Sequence, residues 1–207
     1  EQLMAAANFW SGTNATAAYL SGSIWLKFFF KGKVLYIAKR PFKSAVNWND
    51  IYNAGLVYGT RDNGKYPVGA GVSQYIQMTR KEGERTWGLK PRLLSGILTD
   101  PFSYPFGTVE ELAYSEWRQL LGRVVSASNG IITEKWDDIG NIGLNDSTNN
   151  SSLLQETVLE NVNNCLVSGT GTNTVHTALH VPKTLTSHAW RPVLELLSPN
   201  DLNDPIG

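Results

Sequence analysis

Residues 188–197 constrain this chain more than any other stretch, because they put an aromatic ring, a cation, a proline and a row of aliphatics into one short segment. Successive side chains of an extended strand point to opposite faces. Val193, Glu195 and Leu197 therefore share one side, and Pro192, Leu194 and Leu196 share the other. At least one face is apolar enough to be buried, so the pattern predicts a closing strand over 190–197 set into a core. Arg191 lies between Trp190 and Pro192. Buried guanidinium groups are almost always partnered, so Arg191 is expected to stack on a ring or to pair with a carboxylate such as Glu116.

Local signals place the other elements. Residues 23–30 and 33–38 are β-rich runs joined by a tight turn at Lys31-Gly32, which predicts a hairpin whose second strand is stopped by Pro41 or placed by it at an edge. Asn47 is positioned to cap a helix starting at Trp48, with Asp50 in its first turn. Trp48, Ile51, Tyr52 and Leu56 fit its inward face, and Gly55 or Gly59 can end it. Residues 60–71 read as a loop, 72–79 as a strand, and 81–107 as an irregular stretch broken by glycines and prolines. Thr108 and Glu111 have capping-box spacing, and the apolar positions from Val109 to Val124 recur every three or four residues. Together they predict the longest helix, about four turns, with a start at Ser115 as the alternative. Residues 141–152 are a polar surface loop, and short strands are expected over 153–159, 164–167 and 175–180. The 207 residues suffice for a single core, so one domain is expected over 1–207, with 1–20 as a tether to an upstream segment or, at its start, a short helix. The chain opens at Glu1 without a basic-then-apolar leader, which is the pattern of a processed product or a piece of a longer polypeptide.

Charge and cysteine content narrow the chemistry. Eighteen basic and eighteen acidic residues cancel, so no uniform field steers the chain to nucleic acid or an anionic membrane. No apolar run reaches the length of about 20 residues that a membrane helix needs, so no membrane insertion is expected. Cys165 is the only cysteine, which rules out an intramolecular disulfide and a cysteine metal cage. It is read as a small core residue. His176 and His180 are four apart but lack a third ligand nearby in sequence. Gly169-Thr170-Gly171-Thr172 lacks the lysine of a phosphate loop and is read as a hairpin turn. Neither Glu110-Glu111 nor Asp137-Asp138 is spaced for acid–base work, because adjacent side chains diverge. No metal and no cofactor are expected. Seven tryptophans, eight tyrosines and seven phenylalanines, against only 17% charged residues, describe a chain that buries many rings or shows some to a partner.

Four blocks, at 32–41, 48–59, 115–121 and 188–197, resemble a recurrent class of tailed-bacteriophage virion structural proteins in content and order. Glu116-Trp117 and Ala189-Trp190-Arg191 are more remotely similar to the mid-chain "EW" helix and closing "GFR" strand of the formylglycine-generating-enzyme branch of the C-type-lectin-like fold, with alanine in place of glycine. The resemblance implies an α+β protein with a mixed twisted sheet, two short helices and long irregular loops. It does not carry over that branch's oxidative chemistry, which relies on a cysteine pair. Trp48-Asn49-Asp50 spells a calcium-lectin tripeptide, but it stands early in the chain and reads as a helix start.

The implied function is that of a non-enzymatic component of the virion: a tail fibre or adhesin module, or a head decoration protein. Its loops would bind neighbouring capsid or tail subunits or a host-surface glycan, in a homo-oligomer or multi-copy assembly. Tyr66, Trp87, Tyr104 and Trp136 are the candidates for glycan or partner contact, with core packing as the alternative for each. A glycan-degrading tail enzyme is the competing reading, and it needs two facing carboxylates in a groove.

Overall fold

A computed structural model describes residues 25–39, 41–104, 109–124, 151–169 and 178–198. The protein is α+β, with two five-stranded sheets among the described residues. Strands β1 (Trp25–Phe30) and β2 (Lys33–Ala38) form the expected hairpin, and Phe30 is paired with Lys33 across the turn. Lys31 and Gly32 both take positive φ, 48° and 79°, the twist that matches a two-residue hairpin.

β3 (Lys43–Val46) leads into α1 (Trp48–Asn53). Asn47 Oδ1 accepts a hydrogen bond from Asp50 N at 2.9 Å, and Trp48, Ile51, Tyr52 and Leu56 are all buried. Gly55 ends the helix at φ 73°, where a Cβ would stand 2.8 Å from the Ser73 carbonyl oxygen. Gly55→Ala is therefore expected to cost about 1–3 kcal/mol in chemical denaturation.

Residues 72–77 are not a strand. Gln74 is fully buried, its side chain donates to the carbonyls of Tyr52 and Val72 and accepts from Val57 N, and its own N–H donates to Asp62 O, so the segment is tied to the 52–62 stretch and not to a ladder. Pairing begins only with β4 (Met78–Glu82), which forms a hairpin with β5 (Arg85–Arg92).

The single long helix predicted over 109–124 is broken. α2 (Val109–Ala113) and α3 (Glu116–Leu120) are separated at Tyr114-Ser115, and a 3-10 turn (Leu121–Arg123) follows. Ser115 Oγ donates to Leu112 O at 2.8 Å and accepts from Arg118 N at 3.3 Å, so the serine closes one helix and caps the next. The alternative start at Ser115 is the one the structure adopts.

The remaining strands are β6 (Ser152–Thr157), β7 (Asn164–Ser168), β8 (Ala178–Pro182), β9 (His188–Trp190) and β10 (Val193–Leu196). One sheet has the order β1-β2-β10-β5-β4 and is antiparallel; the other, β3-β9-β6-β7-β8, contains one parallel pair, β6 with β9. The second sheet is covered on both faces. Leu153, Cys165 and Val167 join Trp48, Tyr52 and Trp190 in one core, whereas Leu154 and Leu166 join Ile37, Phe102 and Trp117 in another.

The strand predicted over 190–197 is also divided. The chain leaves one sheet after Trp190 and enters the other at Val193. Arg191 fills the crossover, fully buried, donating to the carbonyls of Ala38 and Lys39 and to Ser152 Oγ, with its guanidinium 5.7 Å from the Trp117 ring centre. It stacks as expected but does not pair with Glu116, which Arg92 holds instead.

Candidate functional site

A cavity of about 530 Å³ opens where the start of α1, the 65–69 loop, the turn after β7's hairpin partner β6, and the end of β8 converge; Asn49, Lys65, Tyr66, Val68, Asn163 and Lys183 contribute to its lining. Lys183 is positioned from both sides through its backbone. Its N–H donates to Asn163 O at 2.7 Å, and its carbonyl accepts from Asn49 N at 3.2 Å.

The Lys183 side chain then runs inward, leaving the residue only 5% exposed. Its Nζ lies 4.0 Å from the centre of the Trp48 ring and 5.7 Å from that of Tyr66. Trp48 is a fixed platform: its Nε1 donates to Leu154 O at 3.0 Å, and its ring stacks on Tyr52 at 5.5 Å. Burial pushes the Lys183 ammonium down to about 8, with Cys165 and Asp100 acting in the opposite sense. Among the described residues, its Nζ meets ring faces and no hydrogen-bond acceptor. Asn49 Oδ1 is also buried with no hydrogen-bond partner there.

The acids nearby are engaged elsewhere. Asp100 Oδ1 accepts from Thr157 N at 3.0 Å, and burial raises its carboxyl above the usual range against the pull of Lys65 and Lys183. Glu156 accepts from Gly96 N through both oxygens, and burial raises it to about 8. Among the described residues, the cavity lining holds cations, amides and a tyrosine ring but no Asp or Glu. Beneath it, burial pushes the Cys165 thiol up to about 12, which makes it a packing residue. Such an arrangement can bind a polar, ring-shaped ligand.

Of the expected contact residues that are described, one lines this cavity. Tyr66 does, half-buried. Trp87 sits on β5 opposite Arg80, and Tyr104 lies edge-on to His180 at 4.3 Å; both are partly exposed and neither lines the cavity. Trp136 lies outside the described residues, as do His176 and Asp137-Asp138. Sequence reasoning missed Lys183 and Asn49. A lone lysine after Pro182 carries no local signal, and Asn49 stands out only as part of a helix start and of a calcium-lectin tripeptide set aside for its place in the chain.

Ser151 Oγ and His188 Nδ1 form a second close contact, at 2.6 Å. Both residues are buried, and burial holds His188 below its usual value, so the pair serves as a sealed polar link between the start of β6 and β9. Among the described residues no group of three His, Cys, Asp or Glu side chains is arranged to hold a metal ion, and no helix is long and apolar enough to cross a membrane. Comparison with protein-family models, with curated proteins and with solved structures found no match.

Proposed function

We propose that this chain is a non-enzymatic surface module of a tailed-phage virion, built on a C-type-lectin-like scaffold, that binds a host-surface glycan in the cavity at Tyr66 and Lys183. The observation that carries the reading is the lining itself. A ring face suits the apolar side of a sugar, and the buried Asn49 Oδ1, which has no hydrogen-bond partner among the described residues, suits one of its hydroxyls. The virion setting rests on the four resembling blocks. These coincide with framework elements: β2, α1 and its exit, α3, and β9 with β10. Trp117 and Trp190, the aromatic residues of the two lectin-like signatures, are both core residues, as scaffold positions should be.

A glycan-degrading enzyme is the less favoured reading, because Asp100 and Glu156 spend their oxygens on backbone N–H groups and neither lines the cavity. Contact with neighbouring virion subunits is supported separately by Phe29, 74% exposed on the edge strand β1. Purified protein on a glycan array is expected to bind, and Tyr66→Ala is expected to weaken binding roughly two- to tenfold, equivalent to the ~0.5–1.5 kcal/mol of a ring contact. Release of reducing ends from any bound glycan would overturn the non-enzymatic reading. Absence of the chain from purified particles, read by mass spectrometry, would overturn the virion assignment.

A further inference from the structure

We infer that Lys183 is the specificity determinant of this cavity and that the glycan it takes carries a carboxylate, as a uronic or sialic-type sugar does. The inference rests on the glycan-binding reading and narrows it to a ligand class. A cation removed from water needs an acceptor or a counter-charge, and a pair of ring faces supplies only part of that compensation. Lys183 is 5% exposed, sits over Trp48 and within reach of Tyr66, and has no acceptor among the described residues.

Packing alone does not explain the residue, since a methionine fills the same channel without the cost of a buried charge. Asp100 does not act as a direct partner, because its carboxylate is bonded to Thr157 N and forms no ion pair with Lys183. The ammonium therefore faces the cavity with Asp100 attracting it but in no direct contact, and an anion delivered from the cavity would complete its charge balance.

The charge count favours a singly charged anion. Lys65, the other cation of the lining, is exposed and donates to Asp100 O at 2.8 Å, which leaves a single buried ammonium. One positive charge balances a carboxylate, whereas a phosphate near neutral pH brings up to two negative charges into the same low-dielectric space. Asn49 and the Tyr66 ring complement the rest of such a sugar, its hydroxyls and its apolar face. The cavity of about 530 Å³ is of the size that holds a small ligand.

The test uses the full chain and calorimetric titration with four probes: an oligosaccharide ending in glucuronic acid, one ending in N-acetylneuraminic acid, and the methyl ester of each, which keeps shape and removes charge. Wild type is expected to bind at least one free acid tenfold or more tighter than its ester. Lys183→Met should erase that preference while its melting temperature stays equal or rises, and Lys183→Arg should keep part of it. Equal affinity for acid and ester, or a preference that survives Lys183→Met, overturns the inference while the glycan-binding reading stands. Failure of acidic and neutral saccharides alike overturns both, as does Lys183-dependent binding of an acidic peptide with no saccharide bound.

Discussion

Arg92→Met should destabilise the protein by on the order of 3–5 kcal/mol, because it strips the bidentate counter-charge from the shielded Glu116 and removes one of the three cations around Glu195. Arg92 Nη1 and Nη2 grip both oxygens of Glu116 at 2.7 Å, and its Nε donates to Glu195 Oε2 at 3.0 Å. Burial works against the guanidinium charge, but the two carboxylates outweigh it and hold the group firmly protonated. Glu195 is likewise held below the usual carboxylate range: burial works against it, and Lys33, Arg92 and Lys90 outweigh that. The network joins β2, β5, β10 and α3, so its loss is felt by the whole sheet and by the helix packed beside it. Guanidinium denaturation reads the effect directly. Lys33→Met is the control: this lysine also bonds Glu195, at 2.8 Å, but its side chain is 52% exposed, and such pairs contribute about 1 kcal/mol or less. A value for Arg92→Met as small as that control's would show that water relieves Glu116 and Glu195, and the network would lose its structural role.

The second large effect is one of pH. Glu156 is 3% exposed, and burial, helped by Asp100 and opposed by the Gly96 N–H, raises its carboxyl from 4.5 to about 8. Between those values the folded chain keeps a proton that the unfolded chain has lost. The contribution of this group to stability is therefore fully present below about pH 4.5 and is lost as pH rises to about 8. His188 has the opposite sense: burial lowers it, so its contribution is lost as pH falls through the ordinary histidine range. Subtracting the profile of Glu156→Gln from that of wild type removes His188 and leaves Glu156. The difference should move in favour of the variant from pH 5 to pH 8, by up to roughly 4 kcal/mol on the usual conversion of pKa into free energy. Parallel profiles would mean that Glu156 ionises normally in the folded chain.

The parts of this fold that could be read from the amino-acid order are those whose causes are local. The hairpin at Lys31-Gly32 and the helix capped by Asn47 each depend on residues a few positions apart, and both formed as expected. Two breaks were not legible, and a third, at Ser115, was legible only as the alternative helix start. The 72–77 segment is organised by Gln74 reaching across to Tyr52 and Val57, and the 109–124 periodicity is interrupted by Ser115. The last break lies at Arg191-Pro192, where the buried guanidinium spans two sheets through carbonyls contributed some 150 positions earlier, as the separations of 152 and 153 record. Periodicity reports which side of an element is apolar, but it does not report where a distant hydrogen bond will stop that element. The cavity shows the same limit. Tyr66 was found because exposed rings stand out in a loop, whereas Lys183 acquires its character only when Trp48 is placed beneath it from elsewhere in the chain.

The position of β10 between β2 and β5 has a consequence for how the molecule is made. Until residue 196 has left the ribosome, β1-β2 and β4-β5 are two separate hairpins, each with an unmet row of backbone donors and acceptors. Such borders recruit strands from other nascent chains, and their closure has to wait for a partner more than a hundred residues downstream of each. The synthesis of β10, not the speed of local folding, sets the moment at which the facing borders of β2 and β5 are covered.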